Sequence, residues 1–153
     1  MNIPECSQQL IDKFKYFKTL TDEELCTFLG FCETKHMAKG KTLWKEGDEY
    51  HYAAFIVSGK LGIKKRTEFK GKHMIVGTFG SGTVLGELCL LTNKPSSVTA
   101  VVLESVDSVI LSRDNFELML TEHPKLGLKL LKHIFVIMSE RLKKSNDRIA
   151  KIF

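Results

Sequence analysis

The sequence predicts a mainly β protein with flanking helices: an antiparallel β-roll, barrel-like in the manner of a jelly roll, with N-terminal helices and a long C-terminal helix. Three observations carry this. Residues 1–30 repeat apolar side chains every three to four positions. Residues 31–112 break into short apolar runs between glycine corners, and residues 113–153 return to helical spacing. A chain of 153 residues is the size of one domain with a substantial core, so one domain over 1–153 is expected.

In the helical lead, Leu10, Ile11, Phe14 and Phe17 form the first stripe. Thr21-Asp22-Glu23-Glu24 reads as a capping box, in which the Thr21 hydroxyl and Glu24 carboxylate satisfy each other's free amides. Leu25, Phe28 and Leu29 are the buried stripe of that helix, and Gly30 ends it.

Strands are expected over Cys32 to Met37 and Thr42 to Lys45, with corners at Ala38-Lys39-Gly40 and Glu46-Gly47-Asp48. Ala53 to Val57 and Leu61 to Lys65 flank Ser58-Gly59-Lys60, a hairpin by its turn residues. Arg66 to Gly71 is a polar tip, His73 to Phe79 a strand, and Ser97 to Leu103 and Val106 to Leu111 two more. About eight short strands rolled on themselves leave few exposed edges.

Ser112-Arg113-Asp114 caps a helix carrying Phe116, Leu118, Met119 and Leu120; His123-Pro124 interrupts it, proline suiting the first turn of the next. From Pro124 onward Leu128, Leu131, Phe135, Met138, Leu142, Ser145, Ile149 and Ile152 alternate three- and four-residue steps, a heptad seam with one polar member. Leu130, Ile134 and Ile137 add a second apolar line. One line suits the barrel; the other suits a second copy, so a homodimer through the 124–152 helix is expected.

Composition excludes several classes. No apolar run nears the roughly 20 residues of a membrane span, and Met1 to Cys6 has neither the basic flank nor the apolar stretch of a signal peptide. A cytoplasmic protein without membrane association follows, with Cys6, Cys26, Cys32 and Cys89 as free thiols. The net charge of +5 gathers late, on Lys125, Lys129, Lys132, Arg141, Lys143, Lys144, Arg148 and Lys151. Such a run contacts nucleic acid or an acidic partner, or else is a solvated helix face, the plainer reading. The five histidines are scattered, and no zinc spacing, nucleophile elbow or nucleotide-triphosphate loop occurs. The chain is not expected to be an enzyme, and no cofactor is implied.

The functional stretch is Phe79 to Thr99. Gly80, Gly82 and Gly86 free the backbone for tight turns, Gly86 to Leu91 can form one short helical turn, and Asn93-Lys94-Pro95 breaks it. Amides at a helix start favour negative charge. This stretch resembles the phosphate-binding cassette of the cyclic-nucleotide-binding domain family, found in catabolite-activator regulators, protein kinase A regulatory subunits and gated ion channels. The matching residues are Gly82, Gly86-Glu87-Leu88, Leu90-Leu91, Pro95 and Thr99. Gly47-Asp48 and Phe55-Ile56-Val57-Ser58-Gly59 are further landmarks, and the resemblance runs from Thr21 to Leu142.

The resemblance implies a ligand, cAMP or cGMP, or another small anion, sensed by a stand-alone regulatory module. It assigns the ribose hydroxyl to Glu87, backbone amides of Leu88 and Cys89 to the phosphate, and an apolar purine wall to Val76 and Leu85. Each has a plainer reading: a glutamate favouring a helix start, a small buried cysteine, barrel core. A reactive Cys89 thiol is the sharper alternative. One departure stands out: the arginine that follows the proline in the family is Ser96 here, with Ser97 beside it. A serine offers one neutral donor where a guanidinium offers a charged fork. The loss weakens binding about 10- to 100-fold, unless another cation such as Lys94 substitutes. The alternative function is a vestigial, ligand-free domain acting as a scaffold for a protein partner. The helix-turn-helix of activator-type regulators is not found after the long helix, so direct DNA binding is not expected.

Overall fold

The computed structural model describes residues 3–153; of the predicted helical lead, Met1 and Asn2 lie outside the described residues. The chain runs α1 (Ile3–Lys13), a 3-10 turn (Lys15–Thr19), α2 (Asp22–Gly30), β1 (Glu33–Met37), β2 (Thr42–Trp44), β3 (Tyr52–Arg66), β4 (His73–Phe79) and β5 (Val84–Leu85). A second 3-10 turn (Glu87–Leu90), β6 (Thr99–Ser112), α3 (Arg113–Glu122) and α4 (Pro124–Ala150) complete it. The local signals hold where they were read. Thr21 and Glu24 form the reciprocal capping box, the Ser112 hydroxyl accepts from the Asn115 amide at the start of α3, and Pro124 opens α4.

The six strands form one antiparallel sheet in the order β1-β6-β3-β4, with β2 also on β6 and β5 also on β3. Two predicted breaks are not chain reversals. Residues 52–66 make one strand, not a hairpin about Ser58-Gly59-Lys60, and residues 99–112 make one strand, not two. Of the seven strands named above, two pairs merge because each of these two long strands carries its corner as an irregularity, and Val84–Leu85 adds a sixth strand that the sequence does not announce. The β3–β6 register shifts between Ile56 and Ser58, between Ser58 and Lys60, and between Lys60 and Leu61. Such bulges bend a strand and increase its twist without ending its pairing. Gly59 is at φ +90°, and a Cβ there would lie 2.1 Å from the Ser105 carbonyl oxygen, so the corner requires glycine.

The bend rolls the sheet. On β3, Ala53, Phe55 and Val57 face a core shared with the helices, where Phe14, Phe17, Phe28, Phe116 and Leu130 are buried. Ala54, Ile56, Leu61 and Ile63 face the inside of the roll with Trp44, Leu85, Ala100 and Val102. Burial on both faces explains why residues 53–57 lack the polar alternation of a half-exposed strand.

Helix α4 lies across the helical layer. Leu126, Leu130 and Ile134 are buried, His133 stacks on Tyr16 with centroids 4.5 Å apart, and Lys129 pairs with Glu24 at 2.6 Å. Gly127 is a packing position: a Cβ there would come within 2.5 Å of the Leu120 side chain. The expected seam is split: Leu131 and Met138 are partly buried against the core, while Leu128, Phe135, Leu142, Ile149 and Ile152 are exposed. Among the described residues no helix is long and apolar enough to cross a membrane, and all four cysteines are free.

Candidate functional site

The Gly86 turn forms as its residues dictate. Gly86 adopts φ +76° and opens the 3-10 turn Glu87–Leu90. A Cβ on Gly86 would lie 2.7 Å from the Tyr52 carbonyl oxygen and 2.9 Å from the Trp44 ring, so the turn is seated hard against β3 and β2. Arg113, the first residue of α3, reaches back and braces the segment after the turn. Its Nε donates to the Cys89 carbonyl, Nη1 to Asn93 Oδ1 and Nη2 to the Thr92 carbonyl. A planar guanidinium is suited to bridging several acceptors at once.

Beside the turn is a cavity of about 190 Å³ lined by Trp44, Tyr50, Ile63, Phe79, Leu85, Gly86, Glu87, Leu88, Ser96, Ser97, Val98 and Arg141. Six of the eight residues singled out from the sequence meet here: Leu85, Gly86, Glu87, Leu88, Ser96 and Ser97. The other two do not line it. Val76 is half exposed on the outer part of β4, and Cys89 is fully buried behind the turn with its amide bonded to the Gly86 carbonyl at 3.2 Å. Burial pushes the Cys89 thiol up to about 11, with the Arg113 charge pulling the other way. That is the reverse of a reactive thiolate.

Ser96 is a structural serine. It is buried, its hydroxyl donates to the Val98 carbonyl at 2.6 Å, and its amide and carbonyl bond Asp48 and Gly47 at 2.9 and 2.7 Å. The cassette is thereby pinned to the Glu46-Gly47-Asp48 corner. Thr99 adds to this by accepting from the Glu46 amide at 2.9 Å. Ser97 is exposed, and its carbonyl accepts from Lys65 Nζ at 2.6 Å. Lys94 is exposed and outside the cavity lining.

The cation in the cavity comes from elsewhere. Arg141 on α4 donates from Nη2 to the Val84 carbonyl at 2.8 Å and lies 4.6 Å over the Phe79 ring. Burial pulls its pKa down from the ordinary value, while the Glu87 charge pushes it up. Trp44 stacks on Tyr50 at 5.1 Å, and its Nε1–H is buried without a partner among the described residues. The sequence reading missed Arg141, Trp44, Tyr50 and Phe79. For Arg141 a signal existed: it continues the barrel-facing line Leu130, Ile134, Ile137 at the next helical step, where a charge is out of place unless something polar faces it.

The arrangement offers donors and one positive charge at the mouth of an apolar, aromatic slot, with a carboxylate opposite. The family profile described as cyclic nucleotide-binding domain matches residues 34–123. The chain belongs to the cyclic nucleotide-binding domain family. It is 25% identical over 114 residues to a CRP-like cAMP-activated global transcriptional regulator of Mycobacterium tuberculosis, covering 74% of this chain and 49% of that one. It is 28% identical over 107 residues to a cAMP-dependent protein kinase regulatory subunit of Eremothecium gossypii, covering 70% of this chain and 22% of that one. The chain thus spans about half or less of these curated relatives. A crystal structure of a cyclic nucleotide-binding domain from Methylobacillus flagellatus superposes with a TM-score of 0.87 at 26% identity, covering 97% of this chain and 85% of that one. Cyclic nucleotide-binding domains share this rolled sheet with flanking helices, and the two curated relatives named are regulatory proteins.

Proposed function

We propose that this cyclic nucleotide-binding domain is a regulatory module that senses cAMP or cGMP, or a related small anion, in the cavity between the Gly86 turn and α4. The observation that supports it best is the meeting of Glu87, Ser97 and the seated Gly86 turn with an aromatic and aliphatic slot, Trp44, Ile63, Phe79 and Leu85, in one cavity. Glu87 suits a ribose hydroxyl and the slot suits a purine. The cavity of about 190 Å³ is smaller than the roughly 300 Å³ at which pockets begin to take drug-sized ligands. A whole nucleotide therefore enters by displacing Arg141 and Leu88, both side chains at its rim. Because Arg141 belongs to α4, occupancy changes how α4 docks, and the differing affinity of the two dockings for ligand is what a switch requires. The exposed Leu128–Phe135–Leu142–Ile149 line then serves as the homodimer seam through which the change is read.

A second reading is favoured by two features: the commitment of Ser96 to internal hydrogen bonds and a nearly apolar groove of about 740 Å³ between the turn and α4. In it the pocket is vestigial and the domain is a scaffold for a protein partner. Calorimetry with cAMP and cGMP on the wild type and on Ser96→Arg separates them. Heat with the wild type supports the sensor. Heat with the arginine variant alone supports the vestigial reading, and no heat with either removes the cyclic nucleotide from the account.

A further inference from the structure

Arg141 is an arginine out of balance. A guanidinium carries five N–H donors in a rigid fork and stays charged. Here one donor is recorded in a hydrogen bond, to the Val84 carbonyl, and the Phe79 ring covers one face. Among the described residues no carboxylate lies within ion-pair distance of it. Glu87, in the same cavity lining, acts on the guanidinium only from beyond ion-pair distance. A partly desolvated charge with no carboxylate in contact is costly, which leaves the fork free to take an anion. A second, independent feature of the same cavity agrees: Trp44, which is 6% exposed, lines it with an indole N–H that has no partner. The cavity thus has two under-used donors, on Arg141 and Trp44, for a negative group, with the Glu87 carboxylate left for an uncharged donor of the same ligand.

We propose that Arg141 is the residue that pairs with the anionic group of the ligand, so that the charge absent at Ser96 is supplied by α4 rather than by the cassette. This rests on the pocket being a cyclic-nucleotide or small-anion site. It adds that charge recognition and helix docking are one event. A cassette arginine would hold phosphate wherever α4 was; Arg141 holds it only while residues 137–141 lie against the roll. The helix line Leu130–Ile134–Ile137 delivers Arg141 to the rim, and a long flexible side chain lets its fork leave Val84 for an incoming phosphate.

The test uses the full chain, with cAMP and cGMP as probes, in Arg141→Ala, Arg141→Lys and the double variant Ser96→Arg/Arg141→Ala. Thermal unfolding checks that each is folded. Calorimetry gives affinity, and hydrogen exchange of the 139–150 amides reports α4 docking. Arg141→Ala is expected to weaken binding about 10- to 100-fold, and Arg141→Lys to keep part of the affinity, as a point charge without the fork. Ligand slows exchange over 139–150 in the wild type and not in Arg141→Ala. The double variant regains affinity without regaining that protection. Binding by Arg141→Ala within about twofold of wild type, or tighter, overturns the inference while leaving the sensor reading intact; tighter binding identifies Arg141 as a plug. If the folded wild type takes up neither probe, the sensor reading fails and this inference fails with it.

Discussion

Replacing Gly86 by alanine tests whether the turn is held by backbone strain and close contact together. At φ +76° a side chain costs about 1–2 kcal/mol relative to glycine. The new methyl would also meet the Tyr52 carbonyl at 2.7 Å and the Trp44 ring at 2.9 Å. Tyr52 belongs to β3, paired with Ser112 of β6, so its carbonyl cannot retreat without loosening the sheet. Forced contacts of this kind cost about 1–3 kcal/mol, giving a total of about 2–5 kcal/mol. Against the usual 5–15 kcal/mol of net stability the domain stays folded but loses roughly 10 °C of melting temperature. Gly40 provides the control: it has φ +89° with open space around the Cβ position, so Gly40→Ala loses only the conformational part, about 1–2 kcal/mol. Urea unfolding followed by the single tryptophan, Trp44, reads both variants, and Gly86→Ala at the contact itself. Equal losses in the two, or a Gly86→Ala midpoint indistinguishable from wild type, would show that the turn is not seated as described.

Three further outcomes are expected. Arg113→Ala removes three hydrogen bonds to residues 89–93, so amide exchange over 87–93 should quicken by about ten- to a hundredfold with a much smaller change in global stability; Arg113→Lys should recover only part. Burial holds the His133 imidazole down at about 4, with the Glu140 charge pushing the other way, so the folded state resists a proton that the unfolded state takes. Stability is therefore complete above the unfolded value of about 6.5 and declines by on the order of 2 kcal/mol as pH falls toward about 4; His133→Leu should flatten that slope in urea midpoints taken across the window. Leu142→Asp places a charge on the uncovered α4 line and should convert a dimer to monomer in sedimentation equilibrium with no loss of thermal stability beyond that of dissociation. A monomeric wild type would remove the seam from the proposal.

Features fixed by neighbouring residues were legible in the sequence. The Thr21–Glu24 box, the Ser112 cap, Pro124 and the Gly86 turn each depend on a few consecutive side chains. The Ser58-Gly59-Lys60 corner was misread because glycine at positive φ serves both a reversal and a bulge. What separates them is the partner strand, where Ser105 sits under Gly59, and no local pattern reports that. The site divides the same way. The turn and its serines could be read as a motif, but Trp44 and Phe79 arrive through strand pairing, Tyr50 from the loop before β3 and Arg141 through helix docking. The resemblance assigns Val76 to the wall, yet it is the residue skipped where the β3–β4 register shifts between Ile63 and Lys64, and it is half exposed outside the cavity lining. Arg113 was read as part of a helix cap, and only the closed roll brings it onto residues 89–93.

The proportions of α4 have a mechanical consequence. At about 1.5 Å per residue its 27 residues make a rod of about 40 Å. Its fixed end is clamped by Leu126, Leu130 and Ile134, and roughly 24 Å of it extends beyond the last of these. A tilt of about 10° at that fulcrum carries the far end by about 4 Å, close to the spacing between successive contact rows on a helix surface. An ångström-scale adjustment where Arg141 crosses the roll is thus geared up to the step by which one helix re-registers on another.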